Sequence, residues 1–521
     1  MPNKTLFQTL KGKLLPKTTT RNNENAPAYE FTPKHQLAQL AATGCISNTF
    51  YVQAENQLEN VLALGAQLDA EFVAKTAVYA REKGYMKDMP ALLLAMLTVK
   101  DVDLLKRTFP RVANNGKMLR NYVQIIRSGA VGRKSFGSAP KRLLQDWFES
   151  RTDRQVFTAS IGQTPSMADV IKMVRPKPQS KSREALYGYL IGKEYNQGLL
   201  PEIVQQFEAF KRDRTSPVPD VPFEMLTALN LGTAEWVEIA KNASWQTTRM
   251  NVNTFARHGV FNTTGMTEVV AQRLRNEQEI RKARVFPYQL LVAYINADSS
   301  IPYEIREALQ DALEIATSNI PAMEGKVVVA TDVSGSMQSP VTGYRQGATT
   351  KVRCIDVAAL VSASIMRVNK QARIIPFEND VVNVQLNSRD SVITNAQKLA
   401  AVGGGGTNCS TPLAKLNKER AMVDVVIYVS DNESWVDANR TWGYSNGTAV
   451  LREWETLKQR NPQAKLINID ITPNSTTQAQ NRNDILNIGG FSDNVFTTIA
   501  QFISKGNDAE LWVKEIEAIE L

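Results

Sequence analysis

The chain has 521 residues, of which 43% are hydrophobic and 22% charged, and its formal net charge is +9. This composition indicates a soluble, globular, multidomain protein, because no apolar run is long enough to cross a membrane. Two histidines and three scattered cysteines argue against a histidine-based hydrolase, a disulfide framework or a zinc site, and they indicate a reducing, cytoplasmic compartment.

Residues 1–27 are polar and carry no apolar core of a signal peptide, so we expect an irregular N-terminal arm. Over residues 28–322 apolar side chains recur at helical spacing between Gly and Pro breaks. Paired helices with short connectors predict an all-α, HEAT-like helical-repeat domain. The predicted helical segments are 58–84, 89–97, 118–126, 168–174, 185–190, 201–210, 234–239, 269–274, 288–295 and 302–315.

The positive charge lies in the helical part. Residues 1–320 hold 41 Lys and Arg against 31 Asp and Glu, whereas the remaining 201 residues hold 20 against 21. Residues 104–183 alone contain 17 basic side chains and four acidic ones. A field this one-sided attracts polyanions, so nucleic acid is the expected partner, and the alternative is a merely solvated basic surface.

Residues 323–521 alternate apolar strand patterns with helical ones. Strands are predicted at 327–330, 372–377, 425–431 and 465–471, and helices at 355–368, 411–420, 449–458 and 509–519. This alternation predicts an α/β domain with a doubly wound parallel sheet. Ligand sites in such domains lie at the carboxyl ends of the strands.

The first of these strands runs into an Asp-x-Ser-x-Ser loop. Asp332, Ser334 and Ser336 can direct three oxygens at one point, as a hard cation such as Mg²⁺ requires. The alternative is an ordinary turn, since Asp, Ser and Gly all favour turns. The glycine run 403–406 follows a helical stretch and lacks a Lys-Ser/Thr ending, so we reject a nucleotide phosphate loop.

The Asp-x-Ser-x-Ser loop resembles the metal-ion-dependent adhesion site of von Willebrand factor A domains. That resemblance implies two further ligands, a Thr and an Asp from later loops, and Thr407 and Asp431 stand at those places. The expected metal site therefore consists of Asp332, Ser334, Ser336, Thr407 and Asp431, with a divalent cation, Mg²⁺, as cofactor. In such domains the remaining coordination position often takes a carboxylate from a partner protein.

From about residue 29 to its end, the chain resembles the Ro 60 kDa autoantigen family, which joins a TROVE module to an A domain. The local marks are segments 72–81, 166–178 and 286–288, and the lean chain suggests a bacterial-type orthologue. The resemblance implies a helical ring closed by the A domain and binding of small non-coding Y RNA on its outer surface. It also implies entry of single-stranded 3′ ends of misfolded RNA into the ring. Bacterial members are associated with exoribonucleases such as polynucleotide phosphorylase.

Carried onto this chain, the resemblance places the RNA surface around Pro176. Arg175 stands where many animal members have His, and a guanidinium still binds phosphate and stacks on bases. Arg120 and Arg127 are further candidates that could instead face the hole of the ring or cap a helix end. The predicted RNA-binding residues are Lys172, Arg175, Lys177, Lys181, Arg183, Arg120 and Arg127.

We therefore expect a monomeric, non-catalytic RNA-binding protein that acts in RNA quality control. One alternative is a metal-dependent protein-interaction module whose A domain captures a protein partner. An enzyme is disfavoured, because the metal ligands lack a paired carboxylate cage and an evident general base.

Overall fold

The computed structural model describes residues 15–283, 287–318, 320–344, 352–438, 447–505 and 508–521. Its contacts divide the chain into two compact units. The sheet unit consists of Met1–Leu64, Arg284–Asn296 and Leu313–Ala518. The helical unit consists of Gly65–Ala283, Ala297–Ala312 and Ile519–Leu521.

The helical unit is all-α, as the apolar spacing predicts. Helices Ala54–Gln67 and Tyr303–Thr317 each have residues in both units. The helices that lie wholly within it are Ala70–Glu82, Asp88–Lys100, Val102–Val112, Gly116–Ser128, Ser138–Glu149, Asp153–Thr158, Met167–Val174, Lys181–Ile191, Glu202–Arg212, Thr233–Asn242, Trp245–Arg257, Met266–Leu274 and Glu277–Ala283.

Some helix boundaries differ from the prediction. The single helix predicted over 58–84 is wrong: helices Ala54–Gln67 and Ala70–Glu82 occupy this stretch. The second begins where the Asp69 side chain accepts a hydrogen bond from the Phe72 amide at 2.7 Å, which is an N-cap. Helices Val102–Val112 and Ser138–Glu149 were missed because their apolar residues form narrow stripes among many polar ones.

The sheet unit contains eight strands. They are β1 Thr20–Arg21, β2 Pro27–Glu30, β3 Val327–Asp332, β4 Arg373–Phe377, β5 Val425–Ser430, β6 Lys465–Asp470, β7 Thr476–Thr477 and β8 Ile485–Gly489. Five of them form one sheet in the order β4-β3-β5-β6-β8, and every neighbouring pair in it is parallel. The predicted fold class, a helical region followed by a parallel-sheet α/β domain, is confirmed; β8 is an additional strand.

Helices connect the parallel strands and cover the sheet. Buried runs such as β3 and β5 have every residue shielded from solvent, as a central strand with helices on both faces requires. The helices that lie wholly within the sheet unit are Pro33–Thr43, Pro287–Ile295, Cys354–Val368, Val392–Ala400, Thr411–Lys418, Ala449–Lys458, Asp493–Lys505 and Leu511–Glu517.

The beginning of the chain belongs to the sheet unit, which differs from the expected boundaries 1–27, 28–322 and 323–521. Strands β1 and β2 pair as an antiparallel hairpin, and β2 also pairs with β7. Tyr29 on β2 is fully buried in the same apolar cluster as Val328 and Val426. Contacts between residues so far apart leave no local pattern, so a reading along the chain could not group these segments.

The histidines and cysteines have packing roles. His35 is buried between Phe31 and Trp512, and His258 stacks on Trp236. All three cysteines are buried and free of disulfides, and burial raises the pKa of the Cys409 thiol. None of the described helices is both long and apolar enough to cross a membrane.

Candidate metal centre and basic surface

The five predicted metal ligands meet at one edge of the sheet. β3 and β5 are parallel neighbours, so their carboxyl ends lie side by side. Asp332 is the last residue of β3, and Asp431 directly follows β5. The sequence thus brings the two carboxylates together through strand order alone.

Short hydrogen bonds hold the Asp-x-Ser-x-Ser loop in a tight turn. The Ser334 amide donates to Asp332 Oδ1 at 2.9 Å, and the Ser334 and Ser336 hydroxyl oxygens lie 3.2 Å apart. The Ser336 side chain also lies beside the Asp431 carboxylate. Four of the five predicted ligands therefore form one connected cluster of oxygens.

The glycine run brings the fifth ligand, Thr407, to this cluster. The Gly335 amide donates to the Gly405 carbonyl at 2.7 Å, so the glycine loop lies directly on the Asp-x-Ser-x-Ser loop. Gly403 has φ +85°, and a side chain there would overlap the Val333 carbonyl. Only glycine satisfies both conditions without strain. The Thr407 carbonyl then accepts from an amide of the loop that follows Asp431.

The cluster concentrates negative charge in a buried place. Asp332 and Asp431 are 0% and 2% exposed. Burial raises the pKa of both carboxyls, and the charge of Asp332 raises that of Asp431 further. Among the described residues, no Lys, Arg or His forms an ion pair with either carboxylate. Two buried carboxylates without a protein cation fit a divalent ion, which would neutralise them.

The donor set selects for a hard cation. Its donors are carboxylate and hydroxyl oxygens, which suit Mg²⁺. Within the described ranges there is no group of three or more His, Cys, Asp or Glu side chains arranged to hold a metal ion. Asp332, Ser334, Ser336, Thr407 and Asp431 are the residues that would hold the ion.

Two side chains next to the cluster were not predicted from the sequence. The Ser430 hydroxyl donates to Asp332 Oδ2 at 2.5 Å and fixes that carboxylate. Its position directly before Asp431 at the end of a strand was a usable signal. Tyr51 lies beside the Ser336 side chain although it belongs to a segment 285 positions earlier in the chain, and no local pattern could have shown this contact.

The basic residues around Pro176 are exposed. Helix Met167–Val174 begins with a capping box between Ser166 and Asp169, and it ends at Arg175, which adopts the left-handed conformation with φ 51°. No carboxylate of the described residues lies within ion-pair distance of the basic groups in this set. Hydrogen bonds from Ser166 lower the pKa of Asp169, and the charge of Lys172 lowers it slightly further. The exposed set comprises Arg127, Lys172, Arg175, Lys177 and Lys181.

A cleft of about 450 Å³ brings Arg127 and Lys172 together. It lies between helix Gly116–Ser128 and helix Met167–Val174 of the helical unit. Apolar atoms of Pro165 and Met173 share its lining, and the complete lining is Gln124, Arg127, Thr164, Pro165, Asp169, Lys172 and Met173. A cleft with two cations and an apolar wall has the chemistry of a nucleotide-sized site.

Two of the predicted RNA-binding residues have intrachain roles instead. Arg183 is buried and pairs with Asp153 at 2.5 Å, and it donates to the Phe148 and Arg151 carbonyls at 2.8 and 2.6 Å. Its guanidinium is therefore occupied inside the helical unit. Arg120 donates to the Ile161 carbonyl, and burial lowers the pKa of its guanidinium. Neither residue belongs to the exposed set.

An all-α region followed by a parallel-sheet domain with an adhesion-site oxygen cluster defines a two-part protein that carries a von Willebrand factor A domain. Comparison with known proteins agrees. Residues 326–503 match the family model of the Ro60 vWA domain. The resemblance of the chain to the Ro60 family is therefore confirmed.

Individual relatives extend the similarity beyond the A domain. RNA-binding protein RO60 of Deinococcus radiodurans is 23% identical over 530 aligned residues, which cover 92% of this chain and 95% of that protein. RNA-binding protein RO60 of Caenorhabditis elegans is 24% identical over 176 residues, 32% of this chain and 26% of that protein. The crystal structure of the D. radiodurans RO (RSR) protein has the same fold, with a TM-score of 0.62 at 20% identity, covering 91% of this chain and all of that one.

Proposed function

We propose that this chain binds RNA through the exposed basic set of its helical unit and leaves the RNA chemically unchanged. The observation that carries the proposal is the set Arg127, Lys172, Arg175, Lys177 and Lys181, exposed cations without a paired carboxylate among the described residues. The names of the relatives, which call them RNA-binding proteins, support the same conclusion.

The physical basis is neutralisation of phosphates. Each phosphate that a Lys or Arg contacts releases condensed counterions, so affinity depends steeply on salt. Flexible or unpaired nucleotides suit this surface best, because the cleft beside Lys172 offers cations for the phosphate and apolar atoms of Pro165 and Met173 for the base. Small non-coding Y-type RNA and the single-stranded 3′ ends of misfolded RNA are the ligands that we propose.

A non-catalytic role agrees with the metal cluster. Mg²⁺ bound by Asp332 and Asp431 would lie among buried hydroxyls. The nearby buried carboxylate of Glu433 already accepts hydrogen bonds from the Asn23 amide and side chain, so it is engaged inside the molecule. Incubation of the purified protein with RNA and Mg²⁺ should leave the RNA at full length on a denaturing gel. Cleavage that the Asp431→Asn variant abolishes would contradict this part of the proposal.

We further propose a cytoplasmic, monomeric protein that acts in RNA quality control by bringing RNA to an exoribonuclease such as polynucleotide phosphorylase. A protein that holds RNA without cleaving it needs such a partner for degradation. The alternative, capture of a protein through an open metal site, is disfavoured because the metal cluster is buried.

The test compares two triple variants that each remove three positive charges. Lys172→Ala/Arg175→Ala/Lys177→Ala removes unpaired cations, whereas the control Lys106→Ala/Arg142→Ala/Arg154→Ala removes exposed cations that are paired with carboxylates. Binding of a labelled hairpin RNA with a single-stranded 3′ end is measured by fluorescence anisotropy from 50 to 300 mM salt.

The expected result is a selective loss. The first variant should bind more weakly, and the slope of log affinity against log salt should fall by about two to three units, one per lost phosphate contact. The control should keep a slope close to the wild-type value. Equal behaviour of the two variants would show that the exposed set is not the RNA-binding surface.

A further inference from the structure

Two segments from the beginning of the chain lie against the loops that carry the metal cluster. The first is the β1–β2 hairpin. Asn22 Nδ2 donates to the Ser434 carbonyl at 2.7 Å, and the Asn23 amide and side chain both donate to the Glu433 carboxylate at 2.8 Å. Ser434 and Glu433 belong to the loop that follows Asp431. The hairpin therefore holds one side of the cluster.

The second segment, residues 45–51, holds the other side. The Tyr344 amide donates to the Asn48 carbonyl at 2.6 Å, and the two residues form an isolated β-bridge. Gly343, with φ +71°, lies so close that any side chain there would contact Asn48 and Cys45. Residues 343–344 belong to the loop that continues from Ser336, so this segment is fixed to the chain of the Asp-x-Ser-x-Ser motif.

The two segments meet over the cluster at Tyr51. Its hydroxyl donates to Glu24 Oε1 at 3.0 Å, and it lies beside the Ser336 side chain. Burial raises the pKa of Tyr51, and the nearby charge of Asp431 raises it further. One hydroxyl thus lies between a metal-ligand candidate, Ser336, and the carboxylate of the hairpin, Glu24.

This arrangement closes the cluster from inside the molecule. Ser336 and Asp431 are only 7% and 2% exposed, although both lie in loops at the edge of the sheet, where such residues are often accessible. The hairpin, residues 45–51 and the Tyr51–Glu24 pair provide the cover. An incoming carboxylate from another protein would have to displace Tyr51 to reach the cluster.

We propose that Glu24 and Tyr51 form an internal cap of the metal site, so that the cation ties the first segments of the chain to the sheet instead of capturing a partner. Tyr51 is the positioning residue that connects Ser336 to Glu24. Glu24 adds a negative charge beside Tyr51, on which the charge of Asp431 also acts, and this added charge increases affinity for a divalent cation through Coulomb attraction. This role is separate from RNA binding and does not depend on it.

The test measures Mg²⁺ binding of the full-length protein without RNA, by titration calorimetry and by the Mg²⁺-induced rise in Tm. Glu24→Gln should weaken Mg²⁺ binding roughly tenfold or more, because it removes one charge while keeping the shape. Glu30→Gln is the matched control, since Glu30 is the other glutamate of the hairpin and is exposed. Its affinity should equal that of the wild type.

Water relaxation gives a readout of the cap itself. With Mn²⁺ in place of Mg²⁺, Tyr51→Phe should increase the relaxation of solvent protons, because loss of the Tyr51 hydroxyl opens the site. In the wild type, added acetate should leave the relaxation unchanged, because the cap excludes it. The acetate measurement on the wild type needs no variant, so it remains decisive even if Glu24→Gln does not fold.

Three results would overturn the proposal. They are equal Mg²⁺ affinity of Glu24→Gln and Glu30→Gln, a fall in Mn²⁺-dependent relaxation of the wild type on addition of acetate, and the absence of any Mg²⁺ binding by the wild type. Loss of RNA binding in the exposed-set variant would be unaffected by any of them, so the two proposals fail independently.

Discussion

Arg183 is a buried structural cation, and its replacement should destabilise the helical unit. Arg183→Ala removes the ion pair with Asp153. It also removes the hydrogen bonds to the Phe148 and Arg151 carbonyls, so these two carbonyl oxygens lose the guanidinium as their donor. Breaking a buried pair costs about 3–5 kcal/mol, and the Asp153 side chain is 27% exposed, so we expect a value near 3 kcal/mol.

The assay separates stability from RNA affinity. Urea unfolding followed by circular dichroism gives the change in the free energy of unfolding, and anisotropy at low temperature gives the RNA affinity of the folded variant. Lys181→Ala is the matched control, because Lys181 is an exposed cation on the same helix, Lys181–Ile191. It should change stability by less than about 0.5 kcal/mol and weaken RNA binding.

The opposite pattern would refute the structural assignment. If Arg183→Ala unfolds at the same urea concentration as the wild type but loses RNA binding while Lys181→Ala retains it, then Arg183 contacts RNA directly. The buried guanidinium described above would then be incompatible with the behaviour of the protein in solution.

Three further predictions concern stability. Arg175→Gly should raise the free energy of unfolding by up to about 1 kcal/mol in urea, because glycine tolerates φ 51°, while anisotropy shows weaker RNA binding. Burial lowers the pKa of His35 to about 3, so the folded state resists protonation of this side chain. The free energy of unfolding is full above pH 6.5 and should fall by about 2 kcal/mol between pH 7 and 5 in urea unfolding curves. His35→Phe should remove this pH dependence. Gly403→Ala should cost about 2–4 kcal/mol in urea unfolding and weaken Mg²⁺ binding in calorimetry, because its side chain would overlap the Val333 carbonyl.

The sheet and the oxygen cluster at its edge were predictable because their signals are local. Strands β3 and β5 are short apolar runs that end in Asp332 and Ser430, and parallel pairing then places their carboxyl ends together. The glycine run before Thr407 indicates that two backbone segments approach each other closely. Each of these features is encoded by about ten consecutive residues, so hydrophobic periodicity and turn residues are sufficient to predict it.

The basic surface was predictable only in part. Charge density identified the stretch 104–183, but it treats every cation alike. Arg183 and Lys181 are two residues apart on one helix, yet one is buried and the other exposed. The difference arises because a helix turns about 100° per residue, and residues two apart face opposite sides. Only knowledge of what packs against each face separates a structural arginine from a free lysine.

The cap over the metal cluster could not be predicted. Glu24 and Tyr51 lie in a stretch without a motif, and Ser336, which Tyr51 contacts, lies 285 residues later in the chain. Neither hydrophobic spacing nor composition records such a pairing. The sequence predicted Asp332 and Asp431 at the ends of neighbouring strands, and it carried no signal for the groups that cover them.

The pairing of β2 with β7 constrains the order in which the sheet unit can fold during translation. Tyr29 and its partner Thr477 are separated by most of the chain. At translation rates of about 5–20 residues per second, the hairpin waits roughly 20 to 90 s before its neighbouring strand emerges. Until then β2 lacks its partner strand β7, although other members of the apolar cluster around Tyr29, such as Val328 and Val426, are synthesised earlier. The small sheet of β1, β2 and β7 is therefore completed late in translation, however early its first two strands are made.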